Sequence, residues 1–299
     1  MSVLSRLLFP LARRFIAGNT VEDALAAART LHARGFASIL DFLGEHVRRE
    51  EDAKTAARAY EALVERLAAD GLDAMIALKP THLGLELGEA FCLGLLETVT
   101  GHAVLRGIRV GIDMEDSSTT DAALAAYRRL NGKFPGSVQI ALQARLKRSA
   151  ADLSGLIAEG ASVRLVKGAY KEPATIAYTR MREIRKNFLD LLERLLREGR
   201  DTAVATHDAV LLREAKERVR RLNAPPEKVE FQMLLGIRPD LQHRLLAEGY
   251  RVRIYIPFGA EWLPYTLRRV RERPWYLWLA LRSILHPHPY RRTISSPAR

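Results

Sequence analysis

The residues best suited to chemistry recur along the chain, each at or just after a short apolar run. Lys79-Pro80-Thr81 follows one run, Asp113-Met114-Glu115-Asp116 the next, and Gln143 closes a third. Arg164 lies within a fourth, which leads into Lys167-Gly168-Ala169-Tyr170. Then come Thr206-His207-Asp208, Gln232-Met233-Leu234, and Tyr255 ahead of Pro257-Phe258-Gly259. Singly, each has an ordinary use: Asp113 as a helix cap, a Lys as a solvated charge, His207 as an internal hydrogen-bonder. Gln143 resists that reading, because a buried amide must find partners. Polar groups repeating at the same point of successive units mark a shared rim rather than scattered surface.

A last segment, Glu261 to Glu272, places Tyr265, Arg268, Arg269 and Glu272 at spacings of three and four, near one face of a helix. Taken alone it reads as a solvated basic helix. Beside a polar rim, adjacent guanidinium groups suit a carboxylate, which each can grip with paired hydrogen bonds, and Asp113 and Glu272 are placed to orient them. The histidines are scattered and no HExxH occurs, so no metal site is expected. No GxSxG turn supports acyl transfer through serine. Two chemistries remain: a Schiff base on Lys79 or Lys167, or a bound organic cofactor that carries the difficult step.

These groups need a frame. Strand-like runs cover Ser38–Phe42, Ala74–Leu78, Ile108–Ile112, Val138–Leu142, Val163–Val166, Thr202–Ala205, Val229–Met233 and Arg251–Ile256, each short and bounded by turn signals. Helical periodicity fills the gaps at Glu51–Ala69, Leu85–Val99, Asp121–Leu130, Leu153–Glu159, Tyr178–Glu198, Val210–Leu222 and Asp240–Glu248. Gly71, Gly160, Gly199 and Gly249 stand just past four of these helices, where a left-handed C-cap favours glycine. Eight alternations predict an α/β fold of the (β/α)8 TIM-barrel type, whose functional residues lie at the C-terminal strand ends. An open doubly wound sheet is disfavoured by the absence of G-x-G-x-x-G. The reading divides the chain into an N-terminal helical arm (1–36), a catalytic barrel with a C-terminal helix near Trp275–Leu285 (37–285), and a flexible basic tail (286–299).

Length agrees: 299 residues allow two domains of about 150 or one barrel of about 250 plus extensions. With 48% hydrophobic and 27% charged residues the chain is neither disordered nor low-complexity. A lone cysteine, Cys92, excludes an internal disulfide framework and points to a reducing, cytoplasmic setting. No apolar run reaches membrane-span length. The first sixteen residues, interrupted by Arg6, Arg13 and Arg14, read as a retained amphipathic helix rather than a leader. The net charge of +12 is spread through helices with no nucleic-acid motif, so no nucleic-acid partner is expected.

The motifs LKPTHLG (78–84), IDME (112–115), RLVKGAYKE (164–172), ATHD (205–208), FQMLLG (231–236) and IYIPFG…WLPYTLRRVRERP (254–274) resemble those of the proline dehydrogenase family, in its monofunctional bacterial form. The resemblance spans about residues 38–285; position 208 departs from it, carrying Asp where Asn is common. It implies a distorted barrel binding FAD at the strand ends. Arg164 is then placed beside the redox-active edge of the flavin, with Gln143 and Met114 at the ring. Lys167, Gly168, Ala169, Thr206 and His207 fall along the ribityl, phosphate and adenine side. Lys79, Asp113, Leu234, Tyr255, Tyr265, Arg268 and Arg269 map to the proline pocket. Asp113 and Arg164 are the catalytic candidates, Asp113 as an orienter of the cations and Arg164 as a stabiliser of charge on the reduced flavin. The implied reaction is oxidation of L-proline to Δ1-pyrroline-5-carboxylate by hydride transfer to flavin N5, with electrons passed to a quinone. Tyr265 near the ring implies a preference for proline over 4-hydroxyproline. A peripheral membrane contact through the amphipathic start and the basic tail, and a downstream pyrroline-5-carboxylate dehydrogenase, are the remaining partners this implies.

Overall fold

Eight short runs rich in Val, Ile, Leu and Ala pair side by side, and a computed structural model, which describes residues 14–263 and 265–267, shows them closing on themselves. The strands are β1 (Ala37–Phe42), β2 (Ala74–Leu78), β3 (Arg109–Ile112), β4 (Val138–Gln143), β5 (Ser162–Val166), β6 (Asp201–Ala205), β7 (Val229–Leu234) and β8 (Arg251–Phe258). All neighbours are parallel, and β1 pairs with β8, Ala37 opposite Arg253 and Phe42 opposite Phe258. The helices are α1 (Val21–His32), α2 (Glu50–Ala69), α3 (Glu89–Val104), α4 (Thr120–Lys133), α5 (Ser149–Ala158), α6 (Met181–Glu198), α7 (Ala209–Arg221) and α8 (Pro239–Ala247). The predicted (β/α)8 barrel is the fold.

Side chains alternate along each strand, as a pleated backbone requires. Val138, Ile140 and Leu142 of β4, Val163 and Leu165 of β5, and Val252, Ile254 and Ile256 of β8 pack outward into the main apolar core beneath the helices. The residues between them turn into the bore. Its waist is a small apolar plug of Ile39, Met75 and Ala77 against Tyr255. Gly111 makes room for it, since a Cβ there would stand 3.3 Å from Ile39 Cδ1. Polar side chains fill the bore on both sides of the plug.

Within the arm, α1 packs as part of the barrel wall. Thr20 caps α1 reciprocally: its hydroxyl accepts from Asp23 N at 3.2 Å, while Asp23 accepts from Thr20 N at 3.1 Å. Ala24, Leu25, Ala28 and Leu31 are then buried in the main core, and α1 packs on β8 and β1. It thereby fills the outer slot that a helix following β8 ordinarily takes. The segment after β8 instead brings Trp262 and Tyr265 into a separate buried cluster with Leu43 and Ile237.

Three of the four predicted glycine caps hold, with φ of +60°, +62° and +84° at Gly71, Gly160 and Gly249. Gly199 differs: its φ is −75°, and glycine is needed because a Cβ would approach Leu195 O to 2.5 Å. The predicted helix at Leu85 begins at Glu89, after a 3-10 turn over Leu85–Leu87 and a break at Gly88. Tyr178 falls outside α6 because its N–H is engaged by Arg145 O at 2.8 Å. Among the described residues no helix is long and apolar enough to cross a membrane. The amphipathic start through residue 13, Arg268, Arg269, Glu272, the helix near Trp275–Leu285 and the tail lie outside the described residues.

Candidate active site

The C-terminal strand ends surround one cavity of about 980 Å3. Every predicted site residue within the described residues lines it: Lys79, Asp113, Met114, Gln143, Arg164, Lys167, Gly168, Ala169, Thr206, His207, Leu234, Tyr255 and Tyr265. Residues distant in sequence meet because parallel strands present their ends on one face.

Its floor is a buried ionic quartet. Lys79, at the end of β2, pairs with Asp41 at the end of β1 and stands 3.7 Å from Asp113 Oδ2. Arg164 on β5 pairs with Asp113 Oδ1, and the Tyr255 hydroxyl donates to Asp113 Oδ2 at 2.6 Å. The Arg164 guanidinium also lies 5.6 Å from the centre of the Tyr255 ring. Two carboxylates and two cations leave the floor formally neutral. Burial alone would raise the Asp113 carboxyl, but Arg164 and Lys79, with the Tyr255 hydrogen bond, hold it below its ordinary value. Asp41 goes the other way: burial raises it, and Lys79 offsets this only in part. Burial pulls the Lys79 ammonium down, yet Asp41 and Asp113 outweigh it and keep Lys79 charged. A persistently protonated amine is a poor Schiff-base nucleophile, which leaves the organic-cofactor reading favoured over Lys79 chemistry.

Sequence reasoning missed Asp41 and, though it placed Glu115 on the rim, gave it no role. Asp41 is an acid in the otherwise apolar run Ser38–Phe42, and the argument used for Gln143 applies to it equally. Glu115 accepts from Thr81 N at 3.1 Å and from the Thr81 hydroxyl at 2.5 Å, fixing the turn that carries Lys79. Its backbone oxygen accepts from Gln143 Nε2 at 2.5 Å. Glu115 therefore ties the ends of β2, β3 and β4 together.

Among the described residues that line the cavity, Gln143 Oε1, Arg145 Nε, Arg164 Nε and Gln232 Oε1 are buried polar atoms without a hydrogen-bond partner in the protein. Leaving such atoms unmet costs about 1–3 kcal/mol each, so a molecule in the cavity with complementary groups is favoured. Gly168 has φ +95°, and a Cβ there would come within 2.8 Å of Gln143 Oε1. Glycine thus keeps the wall beside that amide flat. Further along, Thr206 Oγ1 accepts from Asp208 N at 3.2 Å, and His207 Nε2 accepts from Leu234 N at 2.7 Å. Lys167 Nζ lies 3.3 Å from Asp208, which also takes Arg185. A flat heterocycle with donors and acceptors on its rim, tethered to an anionic chain, fits these groups.

The fold and this cavity define a (β/α)8 barrel with a large pocket over a charged floor at its C-terminal strand ends. Comparison with known proteins gives the class its family: the proline dehydrogenase family model matches residues 24–273. Proline dehydrogenase 1 of Bacillus subtilis (strain 168) is 37% identical over 274 residues, covering 92% of this chain and 90% of the relative. The Deinococcus radiodurans proline dehydrogenase is 37% identical over 268 residues, covering 88% and 86%. Among solved structures, proline utilization A from Bdellovibrio bacteriovorus, inactivated by N-propargylglycine, superposes with a TM-score of 0.84 at 25% identity, over 90% of this chain. The chain spans 33% of that much longer protein. The chain belongs to the proline dehydrogenase family, whose members are FAD-dependent oxidoreductases acting on an amino-acid CH–NH bond.

Proposed function

We propose that the protein oxidises L-proline to Δ1-pyrroline-5-carboxylate and passes the electrons to a quinone. The observation that carries this reading is the formally neutral quartet of Asp41, Lys79, Asp113 and Arg164, in a cavity whose unmet polar atoms include Gln143 Oε1 and Arg164 Nε. FAD, when bound, supplies the two-electron acceptor, at N5, for hydride from the ring carbon next to nitrogen. Gln143, Met114 and Arg164 hold its ring, and Lys167, Gly168, Ala169, Thr206 and His207 hold the remainder.

The protein's own work is binding and charge placement. Lys79, kept protonated by its two carboxylates, meets the proline carboxylate, joined by Arg268 and Arg269 as the family's motif implies. Leu234 and the rings of Tyr255 and Tyr265 enclose the pyrrolidine and exclude water. Proline enters with a protonated ring nitrogen and must lose that proton before hydride can leave. Asp113 is engaged by Arg164 and Tyr255, so its catalytic contribution is to hold those groups and Lys79 in register. With FAD bound, Arg164 would supply the positive charge that favours electron density on the flavin ring. Tyr265 disfavours 4-hydroxyproline.

A peripheral bilayer contact through the basic surface supports quinone access, and the product is the kind of substrate a pyrroline-5-carboxylate dehydrogenase consumes. The test is a visible spectrum of the purified protein before and after adding L-proline without oxygen. The expected result is a flavin band that bleaches; a flavin band indifferent to proline, or none after reconstitution with FAD, overturns the reading.

A further inference from the structure

One carboxylate on the cavity wall stands where it ought to repel an anionic cofactor. Asp208 caps α7, its Oδ1 accepting from Val210 N at 3.1 Å, and its side chain is 2% exposed. It faces the cavity together with Lys167, whose Nζ is 3.3 Å from its Oδ2. Left to themselves, these two groups make a neutral pair, and the wall offers a diphosphate little net charge.

Arg185 changes that balance. It reaches from α6 with a two-pronged grip on Asp208: Nε to Oδ2 at 3.0 Å and Nη2 to Oδ1 at 3.1 Å. A planar guanidinium matches both carboxylate oxygens, as an ammonium does not. The wall then holds two cations and one carboxylate at the amino end of a helix, a net positive surface. The carboxylate stays ionised, since the Arg185 hydrogen bonds and Lys167 outweigh the opposing effect of burial. Arg185 is bonded to Asp208 and is not among the residues facing the cavity, so it acts through that carboxylate.

We propose that Arg185 is a positioning residue for the diphosphate of the cofactor: by taking up Asp208 it shields the phosphates from that carboxylate and keeps the wall beside Lys167 net positive. This deepens the FAD reading above and rests on it. The sign of the effect separates it from a merely structural role. Removing Arg185 should hurt cofactor retention, and removing the charge of Asp208 should undo the harm. Asn caps a helix as well as Asp does, so D208N keeps the start of α7.

The test follows flavin release from diluted holoenzyme by fluorescence, with thermal unfolding of the same samples, for wild type, R185M, D208N and R185M/D208N. The expected result is a loss of FAD affinity of roughly tenfold in R185M, largest at low salt, as the unshielded charge of Asp208 requires. D208N should match or exceed wild type, and the double variant should return to within about threefold of it. A double variant as weak as R185M, or R185M retaining flavin like wild type, overturns the proposal. Wild type that binds no FAD overturns the cofactor reading itself, and this inference with it.

Discussion

Two arginines sit in the same bore, on opposite sides of its apolar waist, and they are used differently. Arg253, toward the N-terminal strand ends, is 1% exposed and engaged on all three nitrogens. Its Nε and Nη2 meet Glu230 at 2.8 and 3.0 Å, Nη1 meets Ser38 O at 2.8 Å, and Nη2 also meets Asp73 at 3.1 Å. Arg164, toward the C-terminal ends, is 5% exposed, pairs with Asp113 and leaves Nε unmet beside the cavity. One guanidinium is satisfied by the protein alone and closes the barrel floor. The other is incomplete until something enters. Full burial of a charge is thus no mark of function; unmet capacity facing a cavity is.

The contrast breaks most sharply if each arginine is removed. R164M is expected to lose about 10²–10³ in kcat with proline, the cost of deleting a charge-stabilising donor. Its folding stability should fall less than that of R253M, because Tyr255 and Lys79 still serve Asp113. R253M leaves Glu230 buried without its main partner and should lose about 3–5 kcal/mol in urea unfolding. If R253M proves the stable, inactive variant, the assignment of the two ends is reversed.

A smaller effect sharpens the quartet. D41N removes the strongest partner of Lys79 while keeping its shape, and should raise KM for proline about tenfold with kcat within about threefold. Equal losses in both constants would place Asp41 in the chemical step instead.

The smallest effect concerns acid. Burial raises the Glu230 carboxyl, but Arg253 and its hydrogen bonds outweigh this and hold it below its ordinary value. The folded state therefore binds that proton less tightly than the unfolded chain. The resulting stability is complete above the unfolded pKa of about 4.3 and drains away as pH falls through the lower folded value. E230Q should unfold more easily at neutral pH and show a shallower loss of thermal midpoint between pH 5 and 3.

The barrel was legible because its signals are local: apolar runs, helical spacing and glycine at Gly71, Gly160 and Gly249. Most of the site was legible too, since strand ends are known once strands are. What escaped depended on partners far along the chain. Asp41 finds Lys79, Glu115 finds Thr81 and Arg185 finds Asp208 only after folding, and no periodicity encodes such pairings. Gly199 shows the same limit at short range, where a residue of the predicted type answers a backbone collision rather than a left-handed turn.

The lodging of α1 against β8 and β1 carries a consequence for how the chain is made. The seam joining Ala37 to Arg253 unites the first and last strands of the barrel, and α1 cannot complete its packing until β8 exists. A nascent chain must hold part of the apolar face formed by Ala24, Leu25, Ala28 and Leu31 uncovered until β8 has been made, so the barrel closes at its first strand last.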